Sequence, residues 1–103
     1  MRDHYRSSSP YEELVGFARA VRHGNRIVVS GTAPIGSDGQ TVTGDAYVQA
    51  KRCFEVILEA VEALGGTRED VVRTRIYVID RDDWDAVGRA HGESFGEVFP
   101  AST

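Results

Sequence analysis

Cysteine is almost absent: Cys53 is the only one in 103 residues. A lone thiol cannot close an internal disulfide, so no oxidising compartment is implied and no cross-link holds the fold. No run approaches the ~18 apolar residues that a bilayer span needs. No basic start, apolar stretch and small-residue cleavage site open the chain. These absences predict a cytoplasmic protein with no membrane partner. Charge of one sign is also scarce: 12 basic side chains face 16 acidic ones, a net of −4, and neither sign forms a long run. A duplex-binding protein carries a basic stripe. The nearest approach here is Arg19, Arg22, His23 and Arg26, which alternate with apolar residues as a solvated strand face does. Nucleic acid is therefore disfavoured as a partner.

Catalytic constellations are missing too. His4, His23 and His91 do not have metal-ligand spacing, and only Cys53 could join them. Gly36 and Gly39 lack the helix and lysine of a phosphate-binding loop. Ser30-Gly31 lacks the flanking pattern of a nucleophile elbow and a nearby base. Neither a metal nor a cofactor is expected.

What is present reads as one α+β domain over residues 1–103. Residues 1–10 carry three consecutive serines and read as a loose lead-in. Alternation begins in residues 14–22. Gly24-Asn25 supplies turn chemistry and Arg26 to Ser30 is rich in β-branched residues, which predicts a hairpin closed by Gly31. Gln40 to Thr43 reads as a short strand after the turn at Gly36–Gly39. From Ala46 to Leu64, Ala50, Cys53, Phe54, Ile57, Leu58, Val61 and Leu64 recur at the spacing of one buried helical stripe. Asp45 is its N-cap and Gly65-Gly66 its stop. Cys53 lies on that stripe as a packed small hydrophobe rather than a nucleophile. Thr67 to Asp70 resembles a capping box. Val71 to Ile79 is dense in β-branched and aromatic residues, which predicts a strand buried on most of both faces. Asp80 to Asp83 start a second helix whose apolar stripe is Trp84, Val87, His91 and Phe95; Gly96 ends it and Phe99 to Thr103 is extended. Strands followed by helices, with hairpins, imply helices packed on one face of a mixed sheet. A second apolar sheet face calls for another subunit.

Four of these stretches, in this order, resemble the RidA (YjgF) family, also called the endoribonuclease L-PSP family. Gly24 to Pro34 is similar to the family's strand ending in Ser-Gly-x-x-Pro. Ala50 to Gly66 resembles its first helix, Asp70 to Asp80 its central strand, and Phe99-Pro100-Ala101 its Pro-Ala corner. The likeness runs from about Gly16 to Thr103. It implies a chorismate-mutase-like fold, a homotrimer with a closed central barrel, and clefts between subunits that hydrolyse enamines and imines in the deaminating branch. It also implies two further strands after the corner, expected beyond Thr103, one carrying a water-positioning glutamate. In that branch an arginine after the Pro-Ala pair clamps the substrate carboxylate; Ser102 stands there in this chain. A first-strand tyrosine corresponds to Phe17, which keeps the ring and loses the hydroxyl. Each charge-assisted hydrogen bond so lost is worth ~1.5–3 kcal/mol, which predicts a poor deaminase of 2-imino acids.

The resemblance places Phe17, Ser30, Gly31, Gly88, His91, Ala101, Ser102 and Thr103 at a small-molecule cleft. Each has a second reading: Phe17 as core, Ser30 as a hydroxyl bonding backbone, Ser102 and Thr103 as a strand start. His91 is either a satisfied, half-buried histidine or, if it faces the cleft, the catalytic acid–base group, since its pKa lies near neutrality. Arg73 and Arg75 are candidates for ion pairs between subunits. The leading expectation is a cofactor-free trimer binding a carbonyl- or imine-like metabolite, with deaminase-like hydrolysis that bypasses the arginine clamp. A non-catalytic binding or regulatory trimer is the alternative, and RNA cleavage ranks last because no basic, stacking surface accompanies the acidic net charge.

Overall fold

The computed structural model describes residues 2–103. Three strands, β1 (Arg2–Tyr5), β2 (Ala20–His23) and β3 (Arg26–Val29), form an antiparallel sheet in that order. The start of the chain is thus not a loose lead-in: Arg2 to Tyr5 pair with His23 to Ala20. Pairing needs only backbone groups, and an edge strand exposed to water takes polar side chains such as Arg2, Asp3 and His4 without cost. The hairpin between β2 and β3 turns through Gly24, whose φ of 65° is the positive value a two-residue connection requires at its first position. The hairpin is shorter than its apolar pattern suggests. Tyr11–Val15 form a short helix, α1, which ends at Gly16 in the left-handed region (φ 89°). Leu14 and Val15 stay 78% and 72% exposed on it. The turn buries Glu12 instead, and that residue organises the neighbouring loops.

The long helix α2 (Ala46–Ala63) starts where Asp45 accepts a 2.9 Å hydrogen bond from the Val48 amide and stops before Gly65, with φ 93°. Local signals set both ends. α2 is buried on two sides. Ala20 and Val29 face one another across β2 and β3, as do Arg22 and Ile27. An Arg22 guanidinium nitrogen donates to the Leu64 carbonyl (2.8 Å), tying this sheet face to the end of α2. On the other side Phe54 meets Phe95 edge-on at 5.3 Å in a core with Ala90, walled by Ile57, Leu58, Val71 and Ile76. Thr67 to Asp70 make the expected capping box around one 3-10 turn.

The stretch from Val71 to Ile79 differs from expectation. Only Arg73–Thr74 form a ladder strand, β4, paired in parallel with β5 (Ala101–Ser102). Backbone bonds continue the pairing, Ile76 donating to the Thr103 carbonyl at 2.7 Å. Thr74 and Ile76 turn toward the helices, whereas Val72, Tyr77 and Ile79 are 79%, 85% and 107% exposed. Apolar composition says that a surface avoids water, not that the same chain covers it. Gln40 to Thr43 contribute a single bridge, Ile35 to Thr41, rather than a strand. The last helix, α3 (Trp84–Phe95), follows a 3-10 turn at Arg81–Asp83. Its buried stripe is Val87, Ala90 and Phe95; Trp84 stands 69% exposed. The fold is α+β, with α2 and α3 on one side of the strands. Among the described residues no helix is long and apolar enough to cross a membrane.

Candidate functional site

Two clusters stand out, built on opposite ends of the chain. The first is a cleft of about 370 Å³ whose walls include Tyr5, Tyr11, Phe17, Arg19, Gly31 and Arg52. Its frame is Glu12, 1% exposed, and Arg19, 4% exposed. Arg19 Nε donates to Glu12 Oε2 at 3.1 Å, and Nη1 donates to the Gly31 carbonyl and to Thr32 Oγ1 (3.1 Å). Glu12 also accepts from the Ser7 amide at 2.9 Å and from the Ser7 hydroxyl, with Arg6 at 3.4 Å. Burial alone drives this carboxyl's pKa up; the Ser7 hydroxyl and amide and the Arg19 guanidinium outweigh that and hold it below the usual carboxylate range. One buried ion pair therefore locks the end of β1, α1, β2 and the loop after β3 together. Arg19 Cζ also sits 5.3 Å from the Phe17 ring centroid.

The second cluster is a row of polar side chains across α3, β4 and β5. His91 Nε2 lies 2.8 Å from Thr74 Oγ1, and Thr74 Oγ1 donates to Ser102 Oγ, also at 2.8 Å. Parallel pairing places Thr74 directly beside Ser102, so the ladder sets this contact. Arg73 donates to the Thr103 hydroxyl. Phe54 edge-on at 5.6 Å and Phe95 at 5.0 Å hold the imidazole in place. Burial lowers the His91 pKa below its ordinary 6.5, which keeps the ring neutral at neutral pH. A neutral imidazole carries one proton and one lone pair. The lone pair can accordingly take a proton along the row from Ser102, and the imidazolium so formed can return it.

Residues proposed from the sequence divide between these clusters. Phe17 and Gly31 line the cleft; His91, Ala101, Ser102 and Thr103 belong to the row or the strand beside it. Gly88 is exposed on α3 one turn before His91. Ser30 does not line the cleft, and its hydroxyl donates to the Ala18 carbonyl at 2.7 Å across the hairpin. Cys53 donates weakly to the Thr32 carbonyl, and burial pushes its thiol pKa up, which makes it a poor nucleophile. Thr74, Glu12, Arg19 and Arg52 were not singled out from the sequence as site residues. Only the alternation of Thr74 with Arg73 and Arg75 hinted at an inward hydroxyl. Among the described residues no group of three His, Cys, Asp or Glu side chains could hold a metal ion.

The family model described as endoribonuclease L-PSP matches residues 8–103. The chain belongs to the endoribonuclease L-PSP (RidA/YjgF) family. It is 45% identical over 97 residues to the protein SCO2049 of Streptomyces coelicolor, a match covering 94% of this chain and 72% of that one. It is 36% identical to the RutC family protein PYRAB12510 of Pyrococcus abyssi, over 82% of this chain and 68% of that one. The crystal structure of Rv2704 from Mycobacterium tuberculosis, a member of the YjgF/YER057c/UK114 family, superposes with a TM-score of 0.87 at 38% identity, covering 99% of this chain and 80% of that chain. The RidA-like fold expected from the sequence is thus the fold the chain has.

Proposed function

We propose that this RidA-family chain works as a homotrimer that binds a small carbonyl- or imine-like metabolite, and that His91, Thr74 and Ser102 move a proton during its hydrolysis. The observation that carries this reading is the hydroxyl row ending at an exposed Ser102, backed by an imidazole that burial keeps neutral. With Thr74 donating to Ser102, His91 Nε2 donates to Thr74 and the Ser102 proton points outward; from the protonated ring Ser102 acts as an acid, and the ring returns to neutral. Reversing the bonds makes His91 Nε2 the acceptor and Ser102 Oγ a base toward water. Hydrolysis of an imine needs both acts in sequence: water must lose a proton and the departing nitrogen must gain one. No arginine follows the Pro-Ala pair, so nothing at position 102 clamps a carboxylate.

The exposed strip of Val72, Tyr77, Ile79 and Phe99 supports the assembly. These exposed apolar side chains flank the short strands that carry Thr74 and Ser102, and large apolar patches mark contact surfaces. A neighbour covering the strip would complete a pocket around Ser102, which Gly88, Ala101 and Thr103 wall from this chain and which Phe17 and Gly31 of an adjoining copy would wall across the seam. The Ser30 hydroxyl, already given to the Ala18 carbonyl, favours a second reading in which the same trimer binds metabolite without turning it over.

Sedimentation velocity and ammonia release from freshly generated 2-aminoacrylate test this together. The expected result is a trimer with slow turnover that Thr74→Val lowers about tenfold at unchanged sedimentation, as the loss of one hydrogen bond to a developing charge would do. A monomer overturns the assembly. A trimer with no turnover on any imine leaves the binding reading, and turnover unaffected by Thr74→Val sinks the proton row.

A further inference from the structure

The outward face of the three-stranded sheet carries a charge pattern that neither cluster uses. Strand side chains alternate between faces, and residues directly opposite one another share a face. Arg2 pairs with His23 and His23 with Arg26, so these three lie in one line across β1, β2 and β3. His4, Val21 and Val28 form the next line on the same face. The reverse face takes Asp3, Arg22 and Ile27, and Arg22 ties that face to α2. Asp3 is the only carboxylate in the three strands, so none stands on the outward face. Arg2, His4, His23 and Arg26 are all exposed, and none has an ion-pair partner among the described residues. Like charges placed directly opposite on neighbouring strands destabilise a sheet. Here two guanidinium groups flank an imidazole with no carboxylate beside them, on a chain whose net charge is −4. A bound anion removes that repulsion, and a chain of linked anionic groups removes it along the whole line. Neighbouring strands lie ~4.8 Å apart, so the line runs about 10 Å at the backbone. Linked phosphates have that reach, whereas a single phosphate bridges one strand gap. Guanidinium forks match phosphate oxygens two at a time. The outward face holds no aromatic ring, since Tyr5 falls opposite Ala20 on the α2 side. The base stacking on which single-stranded nucleic acid binding relies therefore has no platform there.

We infer that this sheet face binds a linear oligophosphate, held through its phosphates by Arg2, His23 and Arg26, with His4 beside Arg2 at the end of the line. Charge spacing does the recognising, so an inorganic oligophosphate and the phosphate chain of a nucleoside triphosphate are one chemistry to it. The line lies at the Gly24 turn of the hairpin, and Gly31 and the cleft lie at the hairpin's other end. Nothing in the site draws on the cleft or on the hydroxyl row.

The probes are inorganic tripolyphosphate, orthophosphate, adenosine triphosphate and a short oligouridylate, titrated calorimetrically into the full chain at low ionic strength without divalent cations. Backbone amide shifts locate the site. Tripolyphosphate is expected to bind and to shift the amides of Asp3, His4, Val21, His23 and Arg26. Adenosine triphosphate is expected to match it within about threefold, and orthophosphate to bind about tenfold more weakly. R2Q and R26Q are each expected to weaken tripolyphosphate about tenfold, the worth of one charge-assisted hydrogen bond. R81Q removes the same charge from the 3-10 turn before α3 and is expected to keep the affinity within about twofold, because exposed charges away from the line are screened. Should one of the two strand variants fail to fold, the other decides. Absence of tripolyphosphate binding, equal binding of orthophosphate, wild-type affinity in R26Q or R2Q, an equal loss in R81Q, or shifts centred on the cleft or on Ala101–Thr103 each overturns the inference. Tighter binding of oligouridylate than of tripolyphosphate also overturns it, in favour of RNA. A protein that turns over no imine and still shows the expected pattern removes the function proposed above and leaves this inference standing.

Discussion

Replacing Glu12 by glutamine isolates what the buried pair contributes. The substitution keeps the shape and one acceptor oxygen, but removes the charge facing Arg19, which is only 4% exposed. The amide nitrogen, if turned toward Arg19 Nε, sets donor against donor across 3.1 Å. Removing one partner of a buried pair costs about 3–5 kcal/mol, because the other charge stays behind without compensation. Domains of this size have ~5–15 kcal/mol in total. With a urea slope of ~1–3 kcal/mol per molar, the unfolding midpoint should fall by about 2 M. Protomer concentration must be held constant, since association would add to apparent stability. Pairing E12Q with Arg19→Met removes both charges, and the double variant should be more stable than the summed single losses by at least ~1.5 kcal/mol. The pH dependence has a definite sign. Glu12 has a folded pKa below its ordinary 4.5. Its contribution is complete above that value and fades as pH drops through the folded pKa, so wild type and E12Q should converge in acid. A midpoint shift under ~0.3 M, strict additivity in the double variant, or a difference that grows on acidification would refute the reasoning.

Two further outcomes follow from the geometry. The His91 ring, followed by NMR from pH 8 downward, should titrate below 6.5, and the protein should lose stability as pH falls from 6.5 through that lower value; a pKa at or above 6.5 would show a ring in free water. Phe95→Ala empties a fully buried ring site between Phe54 and His91, and should cost about 3–5 kcal/mol in urea unfolding while also raising the His91 pKa toward its ordinary value as water enters.

Legibility in the sequence tracked how local the cause was. Asp45, the stripe through Phe54 and Val61, and Gly65 mark α2 because a cap, a period and a glycine stop act within a few residues. The Thr67–Asp70 capping box was readable for the same reason. β1 was not, since an edge strand needs no apolar pattern. Leu14 and Val15 look like strand residues, yet the turn they occupy exists to bury Glu12, seven residues from Arg19. Buried charge runs against composition, so the partner must be seen before the pair can be named. Thr74 was hidden differently: its role depends on Ser102, 28 residues away, being brought into parallel register. Val71 to Ile79 was read correctly as apolar and wrongly as covered, because exposure in one chain is not encoded in that chain alone.

The two clusters differ in chemical character, a buried ion pair in one and a row of hydroxyls with an imidazole in the other. Where the deaminating branch is expected to hold a carboxylate by an arginine directly after the Pro-Ala pair, Ser102 ends the hydroxyl row, and the guanidinium at this corner is that of Arg73, which donates to the Thr103 hydroxyl. At the cleft, the Arg19 guanidinium is fixed by Glu12, a carboxylate with almost no access to water. On the reading proposed above, a single histidine serves as base and then as acid: it holds the proton as imidazolium between the two acts, and burial against Phe54 and Phe95 favours its return to the neutral ring once the proton is handed on.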